Sequence, residues 1–193
     1  MSGSARRRCR SGQARMNRTA ALAAAILCAA PALASDWALS PNGYGPVTIG
    51  MSSDEASQAL GLRLQNDGEG MPDAACHHLA APAGEDKLRY MVQNGRIVRI
   101  SLYEGPSAVA TDKGIRLGDP ASRIMDSYGE ELEIEAHEYV KGEYFTSWDE
   151  TAKRGIRYET MTDDPGPFIA PGAAMVFRIH AGGEAIFLIE GCS

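Results

Sequence analysis

Three groups of side chains in this sequence could do chemistry. The first is Cys76-His77-His78, with His137 and His180 further along, all residue types that ligate transition metals. Neighbouring residues of an extended strand point to opposite faces, so His77 and His78 would not share an ion. No H-x-x-x-H or C-x-x-C spacing supports them, and no metal site is assigned. The Gly-rich run Asp67-Gly-Glu-Gly-Met-Pro-Asp73 lacks the spacing and closing bidentate Glu of a calcium loop.

The second group is the Ser, His and carboxylate residues of a potential hydrolase. There is no G-x-S-x-G, no phosphate-binding Gly loop and no dinucleotide fingerprint in its strand–helix context. No two carboxylates are placed by the sequence in a shared pocket, so no acid–base pair can be argued. No catalytic residue and no cofactor is assigned. A cleft holding His137 beside a perturbed carboxylate would reopen the hydrolase reading.

The third group is aromatic. Glu133–Val140 and Glu143–Trp148 flank Lys141-Gly142 and read as a hairpin. With a two-residue turn, Tyr139 faces Tyr144, His137 faces Thr146 and Glu135 faces Trp148. His137, Tyr139, Tyr144 and Trp148 then form the candidate binding face, since Tyr and Trp are enriched where proteins bind one another. The same stripe would also serve as core beneath helices, since aromatic faces of sheets are more often buried than displayed. The sequence leaves both readings open.

These residues need a scaffold, and the chain spells out much of it. Val47-Thr-Ile-Gly-Met-Ser-Ser-Asp-Glu-Ala-Ser-Gln-Ala-Leu-Gly61 returns as Ile115-Arg-Leu-Gly-Asp-Pro-Ala-Ser-Arg-Ile-Met-Asp-Ser-Tyr-Gly129. Each copy reads as a short extended piece, a Gly, a short helix and a Gly stop. Ser52 and Glu55 make a capping box. In the second copy Asp119 is the expected N-cap and Pro120 the first helical residue. Helices this short are marginal alone, so Ala56, Ala59, Leu60, Ile124 and Tyr128 are expected to pack on a sheet.

Strands follow each copy. Cys76–Leu79 is a short candidate, and Lys87–Gln93 with Arg96–Tyr103 flank Asn94-Gly95, a strong hairpin signal. In the second half come the aromatic hairpin, Gly155–Thr160, and a closing hairpin of Met175–Ala181 and Glu184–Glu190 around Gly182-Gly183. The fold class is therefore α+β: two tandem repeats, 36–105 and 106–193, each a short helix on an antiparallel sheet. The two sheets could run together.

Residues 1–35 stand apart. They hold six Arg and no acidic residue, and the apolar run Ala20–Ala30 precedes Ala32-Leu33-Ala34, a signal-peptidase pattern cleaved near Ala34/Ser35. Either Met1 or Met16 can start such a signal. Taking those six Arg from 19 basic residues leaves 13 against 25 acidic ones, a net of −12 after residue 35. An acidic body argues against a nucleic-acid partner. The apolar run is too short for a permanent membrane span.

Removing the signal takes Cys9 and Cys28 with it and leaves Cys76 and Cys192. Two thiols in an oxidising compartment read as one disulfide, tying the end of the chain back into the first half.

The doubled pattern of aliphatic pair, Gly, cap, short helix and Gly resembles tandem β-lactamase-inhibitor-protein-like modules. A single module also resembles the SmpA/OmlA lipoprotein domain. With Gly45-Pro-Val-Thr-Ile-Gly-Met51, Gly114-Ile-Arg-Leu-Gly-Asp119 and Glu190-Gly-Cys192, the chain resembles a family of uncharacterised secreted bacterial proteins. The resemblance implies a fold more than an activity. Its inhibitor members carry a disulfide within each repeat, whereas here the one bridge joins the two. The lipobox of the lipoprotein domain is missing.

The expected function is an exported, periplasmic or extracellular, non-catalytic module that binds another exported or envelope protein, in an inhibitor-like or envelope-associated role. A small-ligand or saccharide-binding protein is the alternative, and a hydrolase with an unrecognised site the third. A displayed aromatic face favours the first and a deep cleft the second.

Overall fold

Local chemistry sets the first helix. In the computed structural model, which describes residues 37–68, 75–82, 87–103, 105, 107–163 and 173–192, α1 spans Ser53–Leu60. Glu55 N donates to Ser52 Oγ at 3.2 Å, and Ser52 N donates to Glu55 Oε2 at 2.7 Å, closing the capping box. Gly61 ends the helix at φ 69°, a left-handed position that Gly takes without a Cβ clash. Ala56 is fully buried and Leu60 partly so, one helical turn apart. Ala59 is exposed, against expectation, because so short a helix presents only one narrow stripe to the core.

The second helix, α2 (Ala121–Tyr128), begins differently from the reading of the sequence. Pro120, not Asp119, holds the N-cap position, in extended conformation and with no side-chain cap. Asp119 is engaged elsewhere: its carboxylate accepts from Arg116 N at 2.7 Å and pairs with Arg123 at 3.4 Å. The Ala174 carbonyl replaces the cap by accepting from Ala121 N at 2.8 Å. Ala121 and Ile124 point into the core.

Two sheets complete the α+β fold. The smaller joins β1 (Ala38–Ser40), β2 (Gly43–Tyr44), β3 (Val47–Thr48) and β8 (Ala110–Thr111) in the order β3-β2-β1-β8. β1 and β8 are parallel. The larger is antiparallel throughout. It contains β4 (Gln65–Asn66), β5 (Cys76–Ala80), β6 (Leu88–Gln93), β7 (Arg96–Leu102), β9 (Glu133–Ala136), β10 (Glu143–Asp149), β11 (Arg154–Met161) and β12 (Met175–Gly182). Their order is β4-β5-β6-β7-β12-β11-β10-β9, so one continuous sheet spans both halves of the sequence. Asn94 and Gly95, at φ 49° and 75°, make the two-residue turn between β6 and β7.

Alternation along the strands divides this sheet into two faces. One carries Tyr90, Ile97, Ile100, Phe145, Tyr158 and Ile179, which pack with the two helices and β1–β3 as the core. The other carries Arg99, Ser101, Tyr144, Arg157, Glu159 and His180, all buried although most are polar or charged.

What buries them is the end of the chain. Glu184–Glu190 was expected as a strand; it is a 3-10 turn over Glu184–Phe187 leading into a strap. The reason lies in the strand order. β12 already pairs with β11 on one edge and β7 on the other, so no edge is left for a closing hairpin. The strap crosses the polar face instead and ends at the disulfide Cys76–Cys192, as the cysteine count implies. Among the described residues no helix is long and apolar enough to cross a membrane. The expected signal segment lies outside the described residues, as does most of the loop read at Thr162–Gly172.

Candidate functional site

Under the strap, β7 contributes Arg99 and Ser101, β11 Arg157 and Glu159, and β12 Arg178 and His180. Arg99 is the anchor. Its Nη1 donates to the carbonyls of Ala185 at 3.0 Å and Leu188 at 2.7 Å, holding the strap to the sheet. Burial pulls its pKa below the ordinary arginine value, with the charges of Tyr103 and Glu159 opposing. Such a guanidinium is costly to bury unless its donors are engaged.

Glu159 lies between two imidazoles. Its Oε1 is 2.8 Å from His180 Nε2 and its Oε2 is 3.2 Å from His137 Nε2. Burial alone would raise the Glu159 pKa, but His180, His137 and the charge of Arg178 outweigh it and bring it to about 2. An ionised carboxylate only accepts, so both Nε2 atoms carry protons. His180 Nδ1, 2.7 Å from Ser101 Oγ, is then the acceptor of the serine proton. Burial, with Arg99 nearby, pushes His180 down to about 4, so it is neutral near pH 7. His137 Nδ1 accepts from Tyr139 N at 3.1 Å and from Val140 N at 3.4 Å.

Ser101, His180 and Glu159 thus connect in the order of a nucleophile–base–carboxylate triad. Their environment sets them apart from one. Ser101 is 1 % exposed and lines none of the described clefts. His180 is held too acidic to act as a base near neutrality.

The aromatic stripe takes a different register from the expected one. β9 ends at Ala136 opposite Glu143, so His137–Gly142 is a six-residue loop and Tyr144 faces Glu135, not Tyr139. The cause is His137, whose ring Nδ1 gathers the Tyr139 and Val140 amides while its backbone N–H donates to Gly142 O at 3.0 Å. Tyr144, 2 % exposed, is neither displayed nor beneath the helices. It lies on the polar face, stacked on His137 at 4.3 Å and under Arg157 at 4.0 Å. Trp148 packs against Phe187 of the strap at 5.3 Å. Of the four candidate residues, His137 and Tyr139 share a cleft; Tyr144 lies beneath His137 and Trp148 borders a separate recess with Phe187.

That cleft, about 340 Å³, opens between the strap and the β9–β10 loop. Glu159, Phe177 and Arg178 line it from the sheet, Tyr139 and Val140 from the loop, and Ile189 and Glu190 from the strap. A register shift opposite Glu159/Thr160 makes Phe177 an extra residue in β12. Such a bulge re-aims neighbouring side chains, here bringing Phe177 and Arg178 to one cleft. Tyr139, 63 % exposed, donates its hydroxyl to Glu190 and so ties the loop to the strap. That carboxylate pushes the Tyr139 pKa up to about 12.

Arg178, Glu159, Phe177, Ser101 and Arg99 escape motif reading. One signal does exist: polar residues recur every second position in β7, β11 and β12. That pattern normally marks a solvated face, and nothing local to those strands says a strap covers it. His77 and His78, on adjacent positions of β5, fall on opposite faces and are not joined by His137 or His180. Among the described residues no group of three or more His, Cys, Asp or Glu is arranged to hold a metal ion. No protein-family model matches the chain, and no match emerges among curated proteins or solved structures.

Proposed function

We propose that this is an exported binding protein that takes a ligand in the cleft between strap and loop and acts without catalysis. The observation that carries the reading is the contrast between the cleft and the buried network beside it. Every group that could do acid–base chemistry there is already engaged, while the cleft is open, aromatic-walled and of a size suited to small ligands. His137 does sit beside a perturbed carboxylate, the arrangement that would favour a hydrolase. The direction of the shift argues otherwise, because a carboxylate at about 2 remains ionised and is no general acid near neutral pH.

Export fits the disulfide, which persists in oxidising compartments, and the signal-like residues 1–35. The chain reads as two copies of one unit. In its support, Gly50 N donates to Ile97 O and Ile97 N to Met51 O. In the second half, Gly118 N donates to Val176 O and Val176 N to Asp119 O. Gly50 and Met51 stand at the same places in the first copy as Gly118 and Asp119 in the second. The resemblance to tandem inhibitor-protein-like modules agrees with this reading.

A second reading, docking of an exported or envelope protein, rests on the recess that Trp148 and Phe187 share with Glu133, Glu150, Glu184 and Lys153, whose charges leave it net acidic. A basic partner would suit its charge.

A thermal-shift screen of small acids, alcohols and sugars, paired with a chromogenic ester assay, tests the first reading. A ligand that raises the melting point and perturbs Phe177 and Tyr139 is the expected result. Ester turnover that disappears in Ser101→Ala or His180→Ala would replace binding with hydrolysis.

A further inference from the structure

Among the described residues Arg178 is the one arginine or lysine that lines the cleft, and its guanidinium is less engaged than those around it. Arg99 is engaged by two carbonyls, Arg157 by Glu135 at 3.1 Å and Arg89 by Asp67 at 3.3 Å. The Arg178 guanidinium makes no hydrogen bond to any described residue. Its Nη1 forms an ion pair with Glu159 at 3.6 Å, beyond hydrogen-bond reach, and its Nε, like that of Arg99, is buried without an acceptor. A guanidinium offers five N–H donors in a planar fork, and a half-buried one whose donors meet no hydrogen-bond acceptor is unusual. The side chain is 35 % exposed, so ligand can reach it. Its position is also fixed, over the rings of Phe177 at 5.1 Å and Tyr103 at 5.5 Å.

Resting on the binding reading above, we propose that the cleft is a carboxylate site in which Arg178 clamps the anionic group while Phe177, Val140 and Ile189 pack an apolar body. The planar fork of arginine matches the two oxygens of a carboxylate. A single negative charge fits better than a double one. Glu159 and Glu190 both border the cleft, so a phosphate dianion would meet two like charges and one guanidinium. A volume of about 340 Å³ admits a compact acid or the last residue of a polypeptide with its terminal carboxylate.

The test is a titration of the full, disulfide-bonded, 15N-labelled protein followed by backbone and arginine side-chain NMR. The probes are phenylacetate, phenylacetamide, N-acetyl-Gly-Gly-Phe with a free C-terminus, its C-terminal amide, and inorganic phosphate. Both carboxylates are expected to shift Arg178 and Phe177 and to bind roughly tenfold or more tighter than their amides. Phosphate is expected to bind more weakly than either. Arg178→Met, checked for an unchanged fold by its spectrum, should abolish the preference for carboxylate over amide. Arg178→Lys keeps the charge without the fork and should retain only part of it. The peptide binding roughly tenfold tighter than phenylacetate would identify a polypeptide terminus as the source; equal affinities would identify a free small acid. Amides that bind as well as the acids and still shift the cleft would overturn the carboxylate assignment and leave the binding reading standing. No shift at the cleft with any probe would overturn the carboxylate assignment, and the same silence across the thermal-shift screen would overturn the binding reading as well.

Discussion

Replacing both cysteines, as Cys76→Ala/Cys192→Ala, tests whether the strap is held by covalent closure or by its own contacts. The bridge joins positions 116 residues apart. For a loop of that length, the entropy withheld from the unfolded chain corresponds to about 5 kcal/mol at 25 °C. In a domain of this size each kcal/mol is worth about 2–4 °C of melting temperature, so the variant should melt about 10–20 °C lower. The folded state should change little, because Arg99 still holds the Ala185 and Leu188 carbonyls and Tyr139 still reaches Glu190. Beyond Leu188 the strap retains fewer ties, and the Gly191 amide, now bonded to the Leu188 carbonyl at 3.3 Å, should lose protection. Differential scanning calorimetry gives the first quantity and amide exchange the second. A melting temperature within about 3 °C of the parent would refute the loop argument, since roughly 1 kcal/mol cannot represent closure of such a loop. Loss of chemical-shift dispersion across β10 and β11 would refute the other half, showing that the bridge maintains the polar face itself.

Four further outcomes follow from the same geometry. The low pKa of His180, about 4 against an ordinary 6.5, means that the unfolded chain takes up this proton first. Stability should therefore fall as pH drops below about 6.5, and further below about 4.5 as the Glu159 contribution is lost toward its own value of about 2; an unchanged melting temperature from pH 7 to 4 would contradict this. Ser52→Ala removes the capping acceptor and should cost about 1 kcal/mol in a urea titration with unchanged slope. Gly142→Ala drives a Cβ into the Thr160 carbonyl, so it should destabilise by about 1–3 kcal/mol and shift the His137 resonances. Because β7 and β12 join the halves in one sheet, calorimetry should show a single transition; two resolved transitions would mean the halves fold apart.

The sequence disclosed what is determined locally. The capping box needs only Ser52 and Glu55, and the β6–β7 turn only Asn94-Gly95, so both could be read directly. The disulfide was legible because subtraction left two cysteines. Features set by distant partners were hidden. Asp119 looks like a cap until Ala174 supplies the carbonyl that makes a cap unnecessary. The segment after Gly183 looks like a strand until β7 occupies the edge it would need.

The candidate site was hidden for a related reason. Lys141-Gly142 reads as a two-residue turn on backbone preference alone, but the His137 ring gathers two amides and widens the loop by four residues. That widening carries Tyr139 out to Glu190 and opens the space above Phe177 and Arg178. Alternating polar residues in β7, β11 and β12 look like a wet surface because a strand pattern records only which face a residue is on. What covers the face is decided by Arg99 holding two strap carbonyls and by a disulfide more than a hundred residues long in its loop. The same covering that buries Ser101 and neutralises His180 leaves Arg178 at the strap's margin, half-buried and with its Nε lacking an acceptor. The binding proposal and the burial of Ser101 therefore have one structural cause, the path of the last nine described residues across the sheet.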